Sequence, residues 1–130
     1  MQRQNFNHGF DEKEWEAAKM EARQAMIAVA GRESVIAYSD LVPEIESLAL
    51  DPQSPQLAHM LGEISTAEHE AGRGMLTVVV VHKRGDQMPG PGFFQLARSL
   101  GHDTAEREAF WIGELKKVYR EWSADRETNA

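Results

Sequence analysis

The chain has 130 residues, is 42% hydrophobic and 27% charged, carries a net charge of −7 and contains no cysteine. This composition suits one globular domain with an ordinary core and excludes a disordered chain. The missing thiols exclude disulfides, thiolate metal sites and cysteine nucleophiles.

The longest apolar stretch, Met75–Val81, is too short to cross a bilayer. The polar start, Met1–His8, lacks the apolar segment of a secretion signal, so the expectation is a cytoplasmic protein with no membrane partner. Charge is uneven along the chain. Residues 36–72 hold seven acidic and no basic side chains, whereas residues 73–100 hold four basic and one acidic. Global acidity opposes non-specific binding to nucleic acid, but a local basic contact remains open.

Residues 1–10 and 123–130 lack periodic apolar signal and are expected to be tails around a single domain, 11–122. A first helix is expected from Asp11, whose carboxylate can cap the first turn with Glu14 three residues on. Its apolar stripe is Trp15, Ala18, Ala22, Met26, Val29 and Ala30, and Gly31 is its expected stop. Val35–Tyr38 reads as a brief strand, and Ser39 as the cap of a short helix reaching about Ser47. Ser54, Pro55 and Gly72 mark a second long helix with a Leu57, Met60, Leu61, Ile64 and Ala67 stripe. Met75–His82 reads as a strand. Its four consecutive valines, Val78–Val81, imply cover on both faces, with the long terminal helices as the obvious cover.

Gly85–Gly92 reads as a loop. Phe93, Leu96, Ala97 and Leu100 then fit a two-turn helix stopped by Gly101. A final helix is expected from Asp103, with Trp111, Ile112, Leu115, Val118, Tyr119 and Trp122 as the stripe that closes the core. The fold class is therefore α+β, mainly helical, with a small β-sheet flanked by long N- and C-terminal helices.

Catalytic motifs are largely missing. There is no phosphate-binding glycine loop and no Gly-x-Ser-x-Gly elbow. His69-Glu70 begins like a zinc-protease motif, but Arg73 stands where the second histidine belongs. His69 reads as a solvent-facing residue between Glu68 and Glu70. His59 and Glu63 share a helix face and could give two ligands, although a plain polar pair is the simpler reading. His8, His82 and His102 lie in different elements. No metal, cofactor or catalytic group is therefore expected. The acidic stretch reads as solvated helix faces, and the aromatic stripes as core. Phe110, beside Trp111, is the candidate for a subunit contact.

The order strand, helix, helix, strand, loop over residues 35–94 resembles a winged helix-turn-helix. The segments that carry the resemblance are Val35–Leu41, Leu76–Lys83 and the Pro/Gly loop Gly85–Gly92. More narrowly it is similar to the small module that precedes the nuclease domain in some HNH endonuclease-like proteins, though no HNH signature is present and nuclease activity is not implied. The strand and loop also resemble the winged domain of DNA alkyltransferases, whose methyl transfer a cysteine-free chain cannot perform.

The resemblance implies a non-catalytic binding module, DNA-associated or regulatory, touching DNA through Arg73, Lys83, Arg84 and Gln87. Helix 55–71 argues against phosphate contact, because it offers Glu63, Glu68 and Glu70 and few basic groups. The alternative is a protein-interaction or dimerisation domain, with a protein partner or a homodimer, using acidic and aromatic surfaces.

Overall fold

The computed structural model describes residues 10–85 and 87–129, with side-chain detail through Ser123. The protein is mainly helical with one small sheet. Helix α1 spans Glu12–Gly31, strand β1 Ile36–Ala37, helix α2 Tyr38–Leu41 and helix α3 Pro55–Glu70. Strand β2 follows at Val80–Val81, helix α4 at Pro91–Ser99 and helix α5 at Arg107–Asn129. The two strands pair in parallel, Ile36 with Val80 and Ala37 with Val81.

Local chemistry explains the long helices. The Asp11 carboxylate accepts from the Lys13 and Glu14 amides at 3.0 and 3.3 Å, which satisfies donors that no helix can pair internally. Every residue of the expected α1 stripe is buried. Ser54 caps α3 by accepting from the Leu57 amide at 3.2 Å, with Pro55 in the first turn. Gly72, at φ 82°, ends that helix as expected. Gly74, at φ 92°, meets a second demand, because an added Cβ would sit 3.0 Å from Val118 of α5.

Four expectations are corrected. The valine run is not one strand: Leu76–Val79 forms a 3-10 helix, and only Val80–Val81 is extended. The reason lies in the partner. β1 is two residues long and runs straight into α2, so only two residues of the run can find a ladder. The backbone groups left over are met by side chains. Glu114 accepts from the Met75 amide at 2.8 Å, Ser65 accepts from the Thr77 amide at 3.1 Å, and the Trp111 indole donates to the Val78 carbonyl at 3.0 Å. Cover on all sides is nonetheless as expected: α1, α3 and α5 pack on this segment, and Val78, Val79 and Val80 are fully buried. Each such side chain contributes about 1.5–3 kcal/mol.

The second correction is that α2 begins at Tyr38 without a side-chain cap and passes at Val42–Glu44 into a 3-10 turn, which leaves Ser39 inside the helix. Third, α5 starts at Arg107, and its backbone continues through Asn129, past the expected boundary at Ser123. Asp103 instead holds the preceding turn by accepting from the Ala105 amide at 3.0 Å. Fourth, Phe110 is half-buried rather than a free surface ring. It packs inside the chain against Phe93, Phe94 and His102, with ring centroids 6.0, 6.4 and 5.1 Å away. Residues 1–9 lie outside the described residues, while Phe10 stacks on Trp15 at 6.0 Å. Among the described residues, no helix is long and apolar enough to cross a membrane.

Candidate functional site

A groove of about 770 Å³ opens between α3, the start of α4 and the loop that leaves β2. Leu57, Leu61, Phe93 and Leu96 form its apolar walls, with Pro52 and Pro91 at the edges. His82, Lys83 and Arg84, consecutive in the chain, supply the basic and polar side chains of its lining. The size matches the range of about 300–1,000 Å³ that small ligands occupy.

The loop is held in place by a partly buried latch. The Tyr38 hydroxyl accepts from the Gly90 amide at 3.0 Å, while the Tyr38 and His82 rings lie 5.2 Å apart. The backbone must come close here, since a Cβ at Gly90 would sit 3.3 Å from His82 Nε2. The His82 amide donates to the Met88 carbonyl at 3.0 Å and closes the loop on itself. Burial pushes the Tyr38 hydroxyl above its ordinary value of 10.0, against the opposing pull of the Gly90 amide. The phenol is therefore neutral at physiological pH and acts as a positioning group. Tyr38→Phe leaves the buried Gly90 amide without its acceptor. The expected result is a loss of about 1–3 kcal/mol, read by urea denaturation, together with faster hydrogen exchange at Gly90.

Electrostatics single this groove out. The chain has 21 acidic residues, yet among the described residues none that lines the groove is Asp or Glu. Asp40 stands nearby, 3.5 Å from the Lys83 ammonium, with both side chains exposed. Asp51 is engaged beneath the 51–54 turn, accepting from the Gln53 amide at 2.8 Å.

The structure divides the four residues expected to bind. Lys83 and Arg84 line the groove, and Gln87 sits just beyond, its amide donating to the Lys83 carbonyl at 3.3 Å. Gln87 adopts a left-handed φ of 55°, which tightens that turn. Arg73 is engaged elsewhere. It donates to Glu68 at 2.6 and 3.2 Å, and Arg23 of α1 donates to the same carboxylate at 2.7 Å.

Glu68 is thus the reverse of a phosphate-repelling surface group: its side chain is 3% exposed and doubly neutralised. Burial alone would raise its carboxyl. The hydrogen bonds from Arg73 and Arg23, with their charges, outweigh burial and hold it below the usual carboxylate range. Glu63 is likewise occupied, accepting from the Trp15 indole at 3.0 Å and the Lys19 ammonium at 3.1 Å. His59 reaches the other Glu63 oxygen at 3.1 Å, the polar pair expected from their spacing. His69 packs edge-on against His102 at 5.1 Å. Among the described residues, no group of three or more His, Cys, Asp or Glu converges as a metal site.

Sequence reasoning missed the groove walls, although one signal was present. Gly62 lies mid-helix, where glycine costs about 1 kcal/mol relative to alanine. No heavy atom lies within 4 Å of where its Cβ would be, so packing does not require it, and its missing side chain leaves the groove wider. Gly113 is equally unconstrained on the exposed face of α5, so a free glycine marks a site only in combination with a cavity. Comparison with known protein families, curated proteins and solved structures finds no match to this chain.

Proposed function

We propose that the chain is a non-catalytic, cytoplasmic binding module whose recognition surface is the groove between α3, the His82–Arg84 segment and α4. One observation carries this reading: an apolar hollow with a basic edge and, among the described residues, no lining carboxylate, in a chain of net charge −7. The order β1, α2, α3, β2 and loop supports a winged-helix-like frame, with the parallel strand pair as its departure from a hairpin wing.

The absence of cysteine makes a direct test available. A Gly62→Cys thiol inside the groove and a Ser99→Cys thiol on the exposed end of α4 are reacted with a maleimide, in buffer and in native cell extract. The expected result is a several-fold slowing in extract at position 62 alone. Equal rates at the two positions in both media would overturn the reading.

A second reading, duplex DNA along the basic edge, is favoured by the new placement of the α3 acids. Glu63 and Glu68 engage α1 partners, so two of the three carboxylates that argued against phosphate contact are already paired. Lys83 and Arg84 are exposed. On this reading, binding measured by fluorescence anisotropy weakens steeply with salt. Lys83→Glu with Arg84→Glu flattens the log–log salt slope by about 2 and lowers affinity at every salt concentration. No binding to a short duplex at low salt removes this second reading and leaves the first.

A further inference from the structure

We infer that the groove binds a small organic anion: one carboxylate, sulfonate or phosphate carried on an aromatic or branched apolar body. This deepens the groove reading and rests on it. The lining combines two chemistries, apolar side chains and a short basic segment. Leu57, Leu61 and Leu96 are among its apolar residues, and the cationic side chains among the described lining residues, Lys83 and Arg84, come from one short segment beside His82. Such a site rewards a molecule that buries apolar surface and ends in a single negative charge.

The backbone adds to the same preference. α3 and α4 both begin at the groove, and neither has an acidic residue in its first turn, whereas α1, α2 and α5 all do. No carboxylate within their own first turns offsets the partial positive charge at those two helix starts. A duplex fits less well, because four leucine and phenylalanine walls offer nothing to a phosphate backbone. The volume also matches a single small molecule better than a long polymer track.

The test uses a matched pair of probes on the full chain. 8-Anilinonaphthalene-1-sulfonate has the apolar body and the anion, and N-phenyl-1-naphthylamine has the same body without the sulfonate. The expected result is one-to-one binding of the sulfonate at least about tenfold tighter than the neutral amine. Lys83→Gln with Arg84→Gln is expected to bring the two probes to parity. Gly62→Leu fills the groove and is expected to abolish binding of both. Gly62→Ala controls for folding and is expected to raise Tm by about 3–5 °C through helix propensity alone.

Equal affinities for the two probes, both lost in Gly62→Leu, would overturn the anion inference while leaving the groove as the binding surface. Unchanged binding in Gly62→Leu would overturn both. Displacement of the sulfonate from the native protein by a short duplex at micromolar concentration would assign the basic edge to DNA and sink the small-anion inference.

Discussion

Glu68→Ala is expected to cost about 3 kcal/mol of folding stability, a drop in Tm of roughly 10–15 °C for a chain of this size. Glu68 is where two helices and the segment after α3 are tied together: it lies on α3, Arg23 reaches it from α1, and Arg73 from the chain just beyond α3. Both guanidinium groups also lie near the Trp122 ring of α5, at 5.7 and 6.0 Å. Removing the carboxylate leaves two like charges crowded at one aromatic face. Each arginine side chain is about a third exposed, at 31% and 35%, and can rehydrate, which places the expected loss at the lower end of the range for broken buried pairs. Urea denaturation checks the magnitude; a loss below about 1 kcal/mol would mean that the network is replaceable by water.

The same carboxyl governs acid stability. Its folded pKa is held below the ordinary 4.5, so its contribution is fully present above that value and is lost as pH falls through the lower folded value. Glu63 adds in the same direction. Burial would raise it, and the Trp15 and Lys19 hydrogen bonds bring it down instead. Glu68→Gln is therefore expected to flatten the stability–pH curve below about pH 4.5 relative to the native chain.

What the sequence made legible was the part decided locally. Asp11 and Ser54 cap because their carboxylate and hydroxyl reach amides two or three residues on, and spacing alone reveals that. The stripes of α1 and α3 are likewise written at helical period, and only Ala67 of the α3 set is exposed. In α5 only Val118 of the stripe is fully buried, Trp111, Leu115, Tyr119 and Trp122 are half-buried, and the pattern misleads outright at two positions. Ile112 is 40% exposed, while Glu114 turns inward to accept from the Met75 amide.

That exchange shows why the rest was hidden. Whether Leu76–Val79 becomes strand or 3-10 helix depends on who satisfies its backbone, and the answer came from Ser65, Trp111 and Glu114 in distant segments. Glu68 looked like surface charge because its α1 partner Arg23 is 45 residues away. The groove was partly legible: Lys83 and Arg84 stood out by charge, but its walls come from segments far apart in the chain and are brought together only by folding.

Phe94→Ala is expected to have the other large effect, a loss of about 3–5 kcal/mol, and it bears directly on the groove. Phe94 is fully buried at the middle of α4, edge-on to Phe93 at 5.2 Å, with the Arg107 guanidinium 4.7 Å from its ring centroid. α4 has nine residues, too few to stay helical by itself, so its order depends on packing of this kind. Truncating the ring creates a cavity under the helix that carries Phe93 and Leu96, the groove's α4 wall. Hydrogen exchange is then expected to rise in the α4 amides well before those of α1, and binding in the groove is expected to weaken even where most molecules remain folded. Uniform exchange across all helices, with probe affinity intact among the folded molecules, would instead mean that the wall stands without this anchor.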